Sequence, residues 1–184
     1  MYTHSADMPG GRRHHAAAVY GGRIYVFGGW RGYLQQQGLH AALGDGGSEK
    51  EAGACNEVLA EVASYDPVTR EWRQEPAMPT ARRGLEAVCC NGRLYALGGV
   101  YAGRQLATVE SFDPLHGTWR QEPDMLQRRS SFGAASYNGC IYVAGGIVGG
   151  TDLKTVEVLD PKQSKWKLDT NLPNRRWGLR LLAV

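Results

Sequence analysis

Residues 85–123 read LEAVCCNGRLYALGGVYAGRQLATVESFDPLHGTWRQEP, and the order of the punctuation within them decides the fold. The short run Leu85 to Cys90 is followed at once by Asn91-Gly92, a dipeptide whose tolerance of positive φ suits the two-residue type I′ turn of a β-hairpin. The next run, RLYALGG, closes on the glycine pair Gly98-Gly99. After a loop comes TVESFDP, ending at Asp113-Pro114, a pair that initiates turns, and Trp119 opens the last run. Four strand signals, a to d, separated by turn chemistry predict a four-stranded antiparallel meander.

The same order recurs along the chain. Trp72, Trp119 and Trp166 stand 47 residues apart, as do Asp66-Pro67, Asp113-Pro114 and Asp160-Pro161. Gly98-Gly99 and Gly145-Gly146 keep that interval, but Gly28-Gly29 stands 70 residues before the next pair, so the first unit carries 23 extra residues. The units are 8–77, with a loop insertion near 31–57, then 78–124, 125–171 and a partial fourth, 172–184. The insertion is rich in Gly, Ala, Gln and Glu without strand-like alternation. It reads as a loop, and flanking glycines disfavour a short helix over Leu39 to Leu43.

A four-stranded unit this small cannot bury both faces alone and must stack on its neighbours. The repeated tryptophans and tyrosines are expected to supply most of the apolar area between units. The 25 glycines in 184 residues agree with an all-β chain of many tight turns. A net charge of +3 without a block of like charges gives no nucleic-acid footprint, and no apolar run approaches the length of a membrane span. The start, MYTHSADMPGGRRHH, has no apolar signal-peptide core, so the cytosol, with the nucleus or cytoskeleton as variants, is the expected compartment. Cys55, Cys89, Cys90 and Cys140 lack metal or disulfide spacing and are expected to be free thiols, with Cys89 and Cys90 on opposite strand faces.

A glycine pair after a Tyr-containing strand, then Asp-Pro, then Trp, three times in order, resembles the kelch motif over nearly the whole chain. The resemblance implies a partial kelch β-propeller: three four-stranded antiparallel blades plus the first strand of a fourth. Kelch propellers commonly close with six blades, so the chain is expected to be a fragment. MPTARRG and VESFDPLHGTW look most like the Kelch-like family, whose members carry BTB and BACK domains ahead of the propeller. That likeness implies substrate recognition for a cullin-RING ubiquitin ligase, with the cullin reached only through a BTB domain that is not in this sequence. An actin-binding or cytoskeletal scaffold is the alternative.

Antiparallel connectivity puts the d-to-a and b-to-c loops on one rim and the Asn-Gly and Asp-Pro turns on the other. Arg12, Arg82, Arg129 and Arg176 fall at one equivalent position and are expected to bond loop carbonyls between blades. The next two positions vary: Arg13, Arg83, Ser130 and Trp177, then His14, Gly84, Ser131 and Gly178. Residues after the glycine pairs vary too, with Trp30, Arg31 and Tyr33 in the first unit and Tyr101 in the second. In Kelch-like adaptors the matching places line the substrate pocket. The resemblance therefore implies partner binding by Arg13, His14, Trp30, Arg31, Tyr33, Arg83, Tyr101, Ser130, Ser131 and Trp177. The partner expected is an acidic peptide loop, held by Arg13 and Arg83 with Trp30 and Tyr101 as apolar anchors.

Enzymatic readings fit less well, and no catalytic residue, metal or cofactor is expected. A kelch-type copper oxidase needs converging ligands, whereas His14 and His15, placed in strand a, would point to opposite faces. SFDPLHGTW only approximates the Asp-box spacing of a glycosidase, and Asp66, Asp113 and Asp160 before Pro suit turns better than acid-base chemistry.

Overall fold

A computed structural model describes residues 7–32 and 57–183. The described chain is all strand and turn. In blade 1, β1 (Ala16–Tyr20), β2 (Arg23–Phe27), β5 (Val62–Asp66) and β6 (Glu71–Glu75) form a sheet in that order, and β3 (Trp30–Arg31) pairs with β4 (Glu57–Val58) as a separate hairpin between β2 and β5. Blade 2 repeats this with β7 (Glu86–Cys90), β8 (Arg93–Leu97), the hairpin β9 (Val100–Tyr101) and β10 (Arg104–Gln105), then β11 (Val109–Asp113) and β12 (Thr118–Glu122). Blade 3 follows with β13 (Gly133–Tyr137), β14 (Cys140–Ala144), β15 (Ile147–Val148), β16 (Thr151–Asp152), β17 (Val156–Asp160) and β18 (Lys165–Leu168). All pairings are antiparallel, as the meander requires.

The turns follow from their residues. Asn91 and Gly92 sit at φ 48° and 79°, and Asn138 and Gly139 at 48° and 75°, the two positive values of a type I′ turn. At the c-to-d turns Asp66 Oδ1 accepts from the backbone N–H of Val68 and Thr69, and Asp113 Oδ1 does the same for Leu115 and His116. The aspartates before proline thus build turns.

Two apolar cores lie between the blades. One joins Tyr25 and Phe27 of blade 1 to Leu94, Ala96 and Phe112 of blade 2; the other joins Val88, Tyr95 and Leu97 to Phe132, Ile141 and Trp166. β7 stands between them, with Ala87 and Cys89 toward the first core and Val88 and Cys90 toward the second. Burial, helped by neighbouring Cys140 and Cys89, pushes the Cys90 thiol up to about 11, and Cys89, Cys90 and Cys140 are all free. Tyr25, Tyr95 and Trp166 are buried in these cores as expected, and Phe27, Phe112 and Phe132 are buried with them, while Trp119 is only partly so. Trp119 packs edge-on to Phe27 and donates from Nε1 to Pro76 O of the preceding blade at 2.9 Å; Trp166 does likewise to Pro123 O at 2.8 Å.

Two expectations are corrected here. Residues 172–183 form no strand: strand a pairs with strand b of its own blade, and this sequence holds no strand b of a fourth. Their lead-in is nonetheless docked, with Arg176 N–H on Leu153 O and Arg176 O accepting from Gly146, as Arg82 does with Leu59 and Gly29. His14 and His15 also precede β1, and His14 lies in the left-handed region at φ 55°, so strand alternation does not set their directions. The reading of 33–56 as a loop, with Tyr33, Leu39 to Leu43 and Cys55, lies outside the described residues.

Candidate functional site

The two variable loop sets do share a rim and are stitched together there. Arg13 bridges Trp30, Arg83 bridges Val100 and Ser130 bridges Ile147, each an isolated antiparallel pair joining the d-to-a loop to the residue after the glycine pair. The glycines make this approach feasible. A Cβ on Gly29 would stand 2.9 Å from Arg13 O, and one on Gly99 would stand 2.8 Å from Arg83 O.

Beneath the rim the repeated arginine is scaffold. Arg82 donates from Nη1 to Gly98 O and Thr108 O and pairs with Glu110 at 3.1 Å, both side chains buried. Arg129 repeats this with Gly145 O, Thr155 O and Glu157. Arg12 reaches Gly28 O and Glu61. These guanidinium contacts lie within one blade, and it is the arginine's backbone that joins the preceding blade, which corrects the expected interblade role. Burial lowers the affinity of Arg82 and Arg129 for their protons, and Glu110 and Glu157 oppose it. Arg176 is exposed, because no blade surrounds it in this sequence.

Of the predicted binding residues, Arg13, His14, Trp30 and Arg83 converge. The Arg13 guanidinium lies 3.8 Å from the centre of the Trp30 ring, and these four residues line a cavity of about 380 Å³. Among the described residues neither Arg13 nor Arg83 has a carboxylate partner. Arg31 differs, being spent on Glu57 and Glu61 at 3.8 and 2.9 Å. Tyr101, 47% exposed, sits on the β9–β10 hairpin away from that cavity. Ser130 is 4% exposed, and its backbone bridges Ile147.

Ser131, Gly84 and His14 form a second group, nearer the contact of the first strands. Their φ values are all positive, and Gly84 N–H bonds His14 O, Ser131 N–H bonds Gly84 O and Gly178 N–H bonds Ser131 O, at 2.7–2.9 Å. Beside them a cavity of about 230 Å³ is lined by His14, His15, Glu86, Ser131, Trp177 and Arg180. Trp177 is 61% exposed, and Arg180 pairs with Glu86. His15, Glu86 and Arg180 were not among the expected binding residues; their signal was position, three or four residues after the repeated arginine. Burial, then the neighbouring Arg12, pulls His15 below its ordinary value.

Comparison with known proteins agrees with the repeat. The family model described as Kelch motif matches residues 11–41, 81–126 and 128–173. Beta-scruin of Limulus polyphemus is 33% identical over 99 residues, and alpha-scruin of the same organism 27% over 99, covering 54% of this chain and 8% of each scruin. The chain thus spans under a tenth of the length of these relatives. The solved structure of YjhT superposes with a TM-score of 0.75 at 19% identity, over 96% of this chain and 57% of that one.

Proposed function

The chain belongs to the kelch-repeat family, and from that premise we propose that it is a protein-binding module, not an enzyme, whose stitched rim captures an acidic segment of a partner protein. One observation carries this reading. Arg13, stacked on Trp30, and Arg83 face one cavity and have no carboxylate partner among the described residues, while the scaffold arginines beside them are all paired. A cation lying on an aromatic face with no anion of its own suits a carboxylate ligand and a hydrophobic anchor at once. Likeness to the Kelch-like adaptors supports a finer reading, in which the captured protein is a substrate of a cullin-RING ubiquitin ligase.

Replacing Arg83 by Ala tests the site. Partner capture falls while thermal unfolding stays nearly unchanged, since the Arg83 contribution to the fold is its backbone bridge to Val100. Loss of folding instead assigns Arg83 to the scaffold. Co-purification from cells tests the finer reading: recovery of a cullin complex supports it, and recovery of actin alone overturns it.

A further inference from the structure

Blades 1 and 2 carry the same polar chain on the rim opposite the candidate site, and blade 3 lacks it. In blade 1 Arg23 donates from Nε to Ser64 Oγ at 3.1 Å and from Nη1 to Asp66 Oδ2 at 2.8 Å, and Ser64 Oγ donates onward to Glu75 at 2.6 Å. Blade 2 repeats it with Arg93, Ser111, Asp113 and Glu122 at 2.9, 3.1 and 2.6 Å. One repeat further on, the arginine is Cys140 and the serine is Val158, while the aspartate persists as Asp160. The short thiol leaves open the volume that a guanidinium fills in the other blades. A cavity of about 250 Å³ lies there, lined by Cys140, Val158, Asp160, Gln163, Lys165 and Lys167.

We infer that this cavity is a socket for an arginine side chain presented by a partner protein. Asp66 and Asp113 each hold the arginine of their own blade, whereas Asp160 has no ion pair among the described residues and accepts from Lys162 N–H through Oδ1. A carboxylate has about four lone-pair sites, so Asp160 keeps room for an N–H donor. Val158 offers an apolar wall suited to a flat, weakly hydrated guanidinium, which a compact, strongly hydrated ammonium does not match. Lys165 and Lys167 make the lining basic, and Asp169 stands where Glu75 and Glu122 stand as the second carboxylate of the chain. Lys167 stands where Arg73 and Arg120 stand, and those arginines share the chain with Arg23 and Arg93 through Glu75 and Glu122.

The test is an NMR titration of the full chain with N-acetyl-arginine amide, using the lysine amide and sulfate as controls. The arginine compound shifts the backbone amides of Lys162 and Gln163 saturably, and the lysine compound does not. Asp160→Asn, whose side-chain oxygen still closes the turn, weakens binding by about tenfold. Cys140→Arg abolishes binding and raises the unfolding temperature, because the introduced guanidinium fills the socket from within. Equal response to lysine, absence of any response, shifts that survive both variants, or a preference for sulfate through Lys165 and Lys167 overturns the inference.

Discussion

The Arg13 guanidinium rests on the Trp30 ring, and the same two residues exchange both backbone hydrogen bonds, at 2.8 and 3.1 Å. The backbone bridge therefore survives loss of either side chain, and the rim can be altered without unmaking it. Arg13→Ala and Trp30→Ala are each expected to weaken capture of an acidic peptide by about tenfold, with stability changed by less than about 1 kcal/mol. Because one residue orients the other, the double variant should lose less than the sum, which calorimetric titration of the four proteins will read.

Arg129 and Arg176 occupy one repeat position in opposite circumstances. Arg129 and Glu157 are both fully buried and paired, so Arg129→Ala leaves a buried carboxylate without its cation and should cost about 3–5 kcal/mol. Arg176→Ala, at an exposed site, should change stability by no more than about 0.5 kcal/mol. Urea unfolding of the two variants separates them.

Gly98 and Gly103 both have positive φ, at 52° and 74°, but only one is crowded. A Cβ on Gly98 would meet Arg129 O at 2.7 Å and Met125 Cε at 2.9 Å, whereas among the described residues no atom lies within 4 Å of one on Gly103. Gly103→Ala should cost about 1–2 kcal/mol from backbone strain alone. Gly98→Ala should cost more, since the interblade contact must also open, and thermal unfolding will rank them.

His15 ties stability to pH. Burial and the nearby Arg12 hold its folded-state value below the ordinary 6.5, so the neutral ring is the form the fold prefers. Its contribution is complete above about 6.5 and is lost as pH falls through the lower folded value. His15→Gln should flatten the fall of the unfolding temperature between pH 7 and 5; an unchanged slope would place the titrating group elsewhere.

Much of the fold was legible because turn chemistry is local. Asn91-Gly92 and Asp113-Pro114 announce their turns through φ preference and a side chain bonding its own backbone, and periodicity supplies the rest. Directions at strand boundaries were not legible. His14 looks like the start of a strand, yet a hydrogen bond from Gly84, 70 residues away, accompanies its left-handed backbone. Variation among repeats found the rim but did not separate Arg13, which is exposed, from Ser130, which is buried, because burial depends on neighbouring loops. Nor could it tell that Arg31 already has two carboxylate partners.

The hydrogen bonds linking His14, Gly84, Ser131 and Gly178 all run one way, each N–H donating to the carbonyl of the preceding blade. A blade therefore has a head and a tail, and the two faces it shows its neighbours are chemically unlike. Contacts of this kind are heterologous: repeated with rotation they close into a ring or continue as an open helix, but they do not join two like faces across a two-fold axis. Any further blade that meets this chain through these contacts must arrive in the same rotational sense, with its carbonyl offered at one end and its N–H at the other.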